Sequence, residues 1–338
     1  MVDSAPRPEN EFFHVLKTQQ FDRTLLDGLC ELTNAIRRFA KHREGRLFLR
    51  GLLADKRAML YFTQPSTRTF LSFNNACQIL GIQTSEIRDS STSSEVKGES
   101  LLDSLRTFIS YVDVVVMRTR EEGLAEAAAN LFDRINRRVP IINAGSGRDQ
   151  HPTQALLDIY TLERSFMHRG GIDGKVIGMM GDLKRGRTVR SLSYLMKNYR
   201  GVRLVFIAPH PFRMEEDIKA HLREHGVAYS ETGDMEAVLP TLDAIYITRI
   251  QNEYDVSGES SKVDVSRFKF RVEHLRKLKA DGVIMHPLPR RDEIHPDVDD
   301  DPRAKYWRQE RNGMWMRVAI LTRIFKVDHH ILHSRLVD

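Results

Sequence analysis

The chain has 338 residues, 41% hydrophobic and 29% charged, which excludes a mainly disordered or collagen-like protein and exceeds what one hydrophobic core usually serves. Its net charge of +6 comes from 52 basic residues spread among 46 acidic ones, without the Lys/Arg-rich block that marks a nucleic-acid partner. A modest positive excess suits a protein that collects small anions, and no apolar run approaches the ~20 residues of a membrane span.

In chain order, the polar leader Met1 to Asn10 lacks the apolar core of a secretory signal. Cys30 and Cys77 each stand inside an apolar helical pattern, so neither a disulfide framework nor a cysteine metal site is expected, and the setting is read as cytoplasmic. Phe21, Leu25, Leu29, Leu32, Ile36 and Phe39 recur every three or four residues and predict a surface helix. Short apolar runs then alternate with helix-length segments. They are Ala58 to Phe62, Val114 to Met117, Pro140 to Asn143, Val176 to Met180, Leu204 to Ala208, Ala244 to Ile247 and Val283 to Met285. Such runs read as buried parallel strands, and their alternation with helices predicts an α/β protein with two doubly wound parallel-sheet domains. The Gly-Ser-Gly stretch at Gly145 to Gly147 places the boundary, giving domains 1–148 and 149–304. A last amphipathic helix, with Met316, Ala319, Ile320, Ile324 and Phe325 at helical spacing, has no strand after it. Residues 305–338 are therefore expected to pack back on the first domain.

Ser66-Thr67-Arg68-Thr69 lies between the first strand and a helix expected from Phe70 to Leu80. Helix-terminal amides, hydroxyls and an arginine fork make such a turn a phosphate site, with a simple helix cap as the equal alternative. Ser90 to Glu99 carries five Ser/Thr before Val96-Lys97-Gly98-Glu99 and reads as a loop. Arg118 ends a strand, where ligands of open α/β sheets bind, although a snorkelling surface arginine fits equally. His151-Pro152-Thr153-Gln154 opens a helix so that His151 and Gln154, three apart, can face one ligand carbonyl or amide. No second ligand at metal spacing accompanies His151. Gly181 to Thr188 resembles a phosphate loop but lacks both the Gly-Lys-Ser/Thr ending and Gly-x-Gly-x-x-Gly, which excludes a nucleotide. Arg249 and Gln251 end another strand. The last strand ends in His286-Pro287-Leu288-Pro289-Arg290, whose prolines fix the backbone and leave the Leu288 carbonyl to accept a ligand N–H. All these groups fall at strand carboxyl ends, where one cleft between the two domains could be built.

These motifs, Ser-Thr-Arg-Thr at 66–69, Lys-Gly-Glu at 97–99, Val-Met-Arg at 116–118, His-Pro-Thr-Gln at 151–154, Gly-Asp-Leu-Lys with Gly-Arg-Thr-Val at 181–189, Thr-Arg-Ile-Gln at 248–251 and His-Pro-Leu-Pro-Arg at 286–290, occur in one order. In that order the chain from about Phe48 to Phe325 resembles the aspartate/ornithine carbamoyltransferase family, and within it the aspartate-type catalytic chain. Ornithine-type members typically carry His-Cys-Leu-Pro where this chain has Pro287, and their substrate needs no paired arginines for a side-chain carboxylate.

The resemblance implies transfer of a carbamoyl group from carbamoyl phosphate to L-aspartate in de novo pyrimidine biosynthesis, with no metal and no organic cofactor. It implies a first domain for carbamoyl phosphate and a second for aspartate. The phosphate would be held by Ser66, Thr67, Arg68 and Thr69 with Ser93 and Lys97, and the carbonyl oxygen by Thr69, Arg118 and His151. Gln154, Leu288 and Pro289 would position the carbamoyl nitrogen, and Arg187, Arg249, Gln251 and Lys97 the aspartate. Arg68, Thr69, Arg118 and His151 are the expected catalytic set. A homotrimer with shared sites is implied, open to regulatory or dihydroorotase-type chains. The chain departs from the family pattern at Asn74, Val96 and Tyr254 and along the polar stretch Glu253 to Ser266. Three other readings are an ornithine-type acceptor, a catalytically silent binding homologue, and a metal-dependent hydrolase built on His329, His330 and His333, whose cluster has only Asp328 beside it.

Overall fold

A computed structural model describes residues 12–89, 98–147, 150–250, 266–334 and 336. The chain forms two compact units, one of Met1–Gln20, Thr24–Thr153 and Gly313–Asp338, the other of Phe21–Arg23 and Gln154–Asn312.

In the first unit the described elements run α1 (Arg23–Phe39), α2 (Arg43–Gly51), β1 (Arg57–Phe62), α3 (Thr67–Leu80), β2 (Gln83–Ile87), α4 (Leu101–Phe108), β3 (Val114–Thr119), α5 (Leu124–Arg134) and β4 (Ile141–Ser146). The strands form a parallel sheet in the order β2-β1-β3-β4. Its inner strands are β-branched and buried on both faces, as parallel sheets covered by helices must be. Met59, Tyr61, Val115, Met117, Leu105, Phe132 and Ile141 pack as one core beneath α4 and α5. Val15 continues the sheet beyond β4, accepting from the Asn143 amide at 2.7 Å and donating to the Ile141 carbonyl at 2.8 Å.

The second unit holds most of α6 (Pro152–Phe166), then β5 (Val176–Met180), α7 (Arg187–Leu195), β6 (Arg203–Ile207), α8 (Glu216–Glu224), β7 (Ala228–Thr232), α9 (Met235–Val238), β8 (Ala244–Ile247), β9 (Val283–Met285) and the start of α10 (Tyr306–Ile324). Its parallel sheet has the order β7-β6-β5-β8-β9. Ile207, Ile245, Ile247, Phe270, Ile284 and Tyr306 anchor the core on one of its faces. The rest of α10 and α11 (Asp328–Leu332) belong to the first unit. There Val318, Ala319, Ile320 and Leu321 are fully buried, Arg317 Nη1 donates to Ser72 Oγ at 2.6 Å, and its guanidinium lies 5.0 Å from the Phe73 ring.

The sheets thus have the predicted parallel α/β character, with two strands that apolar runs do not reveal. β2 reads Gln-Thr-Ser-Glu-Ile and β7 Ala-Tyr-Ser-Glu-Thr. Each is the outer strand of its sheet and largely open to solvent, so its sequence need not be hydrophobic. Asn74, one of the departures from the family pattern, accepts from Thr84 Oγ1 at 3.1 Å and so ties α3 to β2. No described helix is long and apolar enough to cross a membrane.

Candidate active site

In the first unit, the groups expected to bind a ligand stand at the carboxyl ends of β1, β3 and β4. The helix after β1 starts at Thr67, three residues before the expected Phe70, because Ser66 is its extended N-cap. Thr67, Arg68 and Thr69 are therefore the first helical turn, whose amides have no i−4 carbonyl, and the regular ladder opens with Phe70 N–H to Ser66 O. Ser66 makes no side-chain cap bond, so the cap reading of its hydroxyl is not realised. Thr67 and Arg68 are exposed while Thr69 is buried.

Arg118 is 9% exposed, which excludes the snorkelling alternative. Its Nη1 donates to the Ala144 carbonyl at 3.1 Å and meets His151 Nε2 at 3.4 Å. A guanidinium can only donate, so this contact requires the lone pair of a neutral imidazole on Nε2. Gly145 makes room for the pair, since a Cβ there would come within 2.8 Å of Arg118 Nη1 and 3.3 Å of His151 Cδ2. Its φ of +116° is also hostile to a side chain. Gly145→Ala should lower turnover about tenfold or more, through a shifted Arg118, at a backbone cost of about 1–3 kcal/mol. Steady-state kinetics with a thermal melt checks this, and an unshifted kcat would show that Arg118 has room to spare.

In the second unit, α7 presents Arg187 as its first residue, with Gly186 as N-cap. The preceding loop is folded by buried Asp182, which accepts from the Arg185 amide at 3.0 Å and through its own carbonyl from Gly186 N–H at 3.1 Å. The loop starts at Gly181, whose φ is +121° and whose missing Cβ would lie 2.1 Å from the Thr248 carbonyl. Arg249 follows Thr248 directly, so the two expected aspartate arginines rise from the ends of the adjacent strands β5 and β8. Both are half-buried. Arg290 stands among the strand-end arginines of the sequence, but it is committed elsewhere. Its Nη2 donates to Asp299 Oδ2 at 2.7 Å and its guanidinium lies 5.7 Å and 5.5 Å from the Tyr306 and Trp307 rings.

The turn after β9 is held by His286, 1% exposed. The Leu288 amide donates to His286 Nδ1 at 2.8 Å, which leaves Nε2–H to donate to Glu293 Oε1 at 2.6 Å. Burial would raise the Glu293 carboxyl, yet the His286 contact and local amides hold it below its ordinary range. Leu288 adopts a left-handed φ of +50° and its bond to Pro289 is cis. With its N–H engaged, Leu288 can offer a ligand only its carbonyl.

Behind Gln154 lies a group that the motifs do not announce. Asp158, one helical turn further along α6, is fully buried. Its Oδ1 accepts from Gln154 Nε2 at 3.0 Å and from Gln309 Nε2 at 2.7 Å, and its Oδ2 faces the Tyr246 hydroxyl at 2.8 Å. Burial pushes the Asp158 carboxyl up to about 7 despite these donors. Gln309 in turn accepts from the His286 amide at 3.0 Å. Ser93, Lys97 and Gln251, together with Val96 and Tyr254, lie outside the described residues. One grouping of possible metal ligands occurs among the described residues, His221, Glu224 and His225 around the end of α8, remote in sequence from every site motif.

Residues 14–164 match the carbamoyl-P binding domain of the aspartate/ornithine carbamoyltransferases, and residues 173–324 match their Asp/Orn binding domain. The chain is 42% identical over 330 residues to aspartate carbamoyltransferase 1, chloroplastic, of Pisum sativum, covering 95% of this chain and 81% of that protein. It is 40% identical over 307 residues to the aspartate carbamoyltransferase catalytic subunit of Thermococcus gammatolerans, covering 91% and 96%. The Trypanosoma cruzi aspartate transcarbamoylase solved with carbamoyl aspartate and phosphate superposes with a TM-score of 0.82 at 34% identity, covering 96% of this chain and 99% of that one. The same enzyme with N-(phosphonacetyl)-L-aspartic acid gives 0.84 at 34% identity, covering 94% and 98%. With both domains matched and these relatives aligned over nearly its whole length, the chain belongs to the aspartate/ornithine carbamoyltransferase family.

Proposed function

We propose that this protein transfers the carbamoyl group of carbamoyl phosphate to L-aspartate, giving N-carbamoyl-L-aspartate and phosphate. The observation that carries the mechanism is the buried Arg118–His151 pair over Gly145. The first turn of α3, Ser66 to Thr69, takes the phosphate, where helix-terminal amides and the Arg68 fork favour a dianion. Thr69, Arg118 and His151 surround the carbonyl oxygen. Gln154 and the carbonyls of Leu288 and Pro289 hold the carbamoyl nitrogen, and Arg187, Arg249 and Gln251 take the aspartate carboxylates with Lys97. The aspartate amine attacks the carbonyl carbon, a C–N bond forms, and charge collects on the oxygen beside Arg118. The C–O bond to phosphate then breaks and phosphate leaves. Fixed donors at the oxygen are worth most here, because they need no reorganisation as charge develops. No covalent enzyme intermediate is needed.

Formation of carbamoyl aspartate from carbamoyl phosphate, measured side by side with aspartate, ornithine and other amines, tests the assignment, and a better rate with ornithine would overturn it. The arginine pair supplies a sharper test. Arg187→Ala and Arg249→Ala should each raise the aspartate KM about tenfold or more, since a charge-assisted contact is worth about 1.5–3 kcal/mol. The KM for carbamoyl phosphate should move far less, and unchanged aspartate kinetics in either variant would remove that arginine from the subsite.

The reading extends to assembly and place. In a homotrimer, Ser93 and Lys97 of each chain complete the phosphate site of its neighbour, and regulatory or dihydroorotase-type chains remain candidate partners of that trimer. Two free, buried thiols, Cys30 and Cys77, support a reducing compartment such as the cytosol; burial raises the Cys77 thiol to about 12.

A further inference from the structure

We propose that Asp158 is a positioning residue for the carbamoyl group, aiming acceptor oxygens of Gln154 and Leu288 at the ligand's amide hydrogens and so selecting a carbamoyl phosphate over an acyl phosphate. The proposal rests on the reading above, in which Gln154 and Leu288 face the carbamoyl nitrogen.

Gln154 Nε2 is held at 3.0 Å by Asp158 Oδ1, which orients the planar amide. Its oxygen must then point the other way, as an acceptor. The same carboxylate oxygen holds Gln309 at 2.7 Å, and Gln309 passes the constraint on by accepting from the His286 amide at 3.0 Å. His286 Nδ1 accepts the Leu288 amide at 2.8 Å and so closes the turn around the left-handed Leu288. One oxygen atom therefore fixes two ligand acceptors that are distant in sequence.

The arrangement is indifferent to the charge on Asp158. Both glutamines donate to Oδ1, while Oδ2 meets a hydroxyl, and a hydroxyl can donate or accept. Tyr246 and Thr188 also face each other, and Glu310 contributes like charge, so Asp158 sits against neutral donors and one carboxylate with no cation among its named neighbours. A carboxylate kept as an acceptor without a counter-ion serves geometry rather than charge.

Acetyl phosphate separates this role from a merely structural one, because it keeps the phosphate and carbonyl but has a methyl group for the amide. Asp158→Leu should weaken carbamoyl phosphate about tenfold, the loss expected when hydrogen bonds to a ligand N–H go unmade, and leave inhibition by acetyl phosphate within about twofold. Asp158→Asn keeps an acceptor toward the glutamines and turns its amide to Tyr246, so it should restore most of the loss. The double variant Asp158→Leu/Gln154→Ala should be no worse than the weaker single one, since both remove the same contact. If Asp158→Leu fails to fold, Gln309→Met, which breaks only the relay to His286, should still cost carbamoyl phosphate more than acetyl phosphate. Equal weakening of both ligands, or an Asn variant as poor as Leu, would overturn the proposal. A Gln154→Ala variant with unchanged carbamoyl phosphate binding would instead overturn the reading beneath it.

Discussion

Arg118→Ala is expected to lower turnover by about a hundredfold or more, the loss typical of removing one fixed donor from a developing oxyanion. The guanidinium is buried at the end of β3, anchored at 3.1 Å to the Ala144 carbonyl and set beside His151. Its orientation is therefore complete before substrate arrives. Binding of carbamoyl phosphate should suffer much less than kcat, because the neutral carbonyl of the ground state draws less from a cation than the oxyanion does. Arg118→Lys should recover little, since an ammonium cannot hold the Ala144 carbonyl and reach the substrate with the same rigid fork. His151→Ala should show the same pattern on a smaller scale. Equal losses in kcat and in equilibrium binding would make the pair simple ligand contacts, and rapid-quench measurement of the chemical step with a separate binding titration would reveal it.

The second large effect depends on assembly. Arg68→Ala and Lys97→Ala should each be nearly inactive, with losses of about a hundredfold or more. Mixed and reassembled, they should recover activity. In a ring of three where each site takes Arg68 from one chain and Lys97 from the next, every mixed trimer has one junction with both residues intact, so recovery reaches at most about a third of wild type. Subunit exchange must be shown independently by differently tagged chains. If exchange occurs and no activity returns, each chain holds its own complete site.

The parts of the fold that sequence periodicity revealed are those where burial forces the sequence. Strands buried on both faces, such as Val114–Thr119, read as unbroken apolar runs, and the nearly polar β2 and β7 do not. Helix starts are set by a cap rather than by apolar spacing, which is why α3 begins at Thr67 and not at Phe70. At the site, the ligand-facing motifs are contiguous and polar, so they stand out in the chain. Their supports do not. Asp158 occupies an ordinary position in an amphipathic helix, and its partners Tyr246 and Gln309 are 88 and 151 residues away, so only the folded chain joins them. Arg290 fails in the opposite sense, since charge at a strand end suggests a ligand while Asp299 already holds it.

The return of residues 313–338 to the first unit bears on how the protein is made. Synthesis proceeds from the amino end, and the sheet of that unit emerges long before the helix that seals it. Met316 Sδ lies 3.9 Å from Thr33 Oγ1, and Arg317 bonds Ser72, across 283 and 245 residues of intervening chain. A nascent first unit must therefore leave the seat of α10 open while the whole second unit is translated. The second unit has no such wait, as its segments from Gln154 to Asn312 emerge together with only Phe21–Arg23 made earlier. Vectorial folding should thus complete the later-made unit first, and a ribosome stalled before residue 313 should present a first unit that chaperones and proteases still recognise.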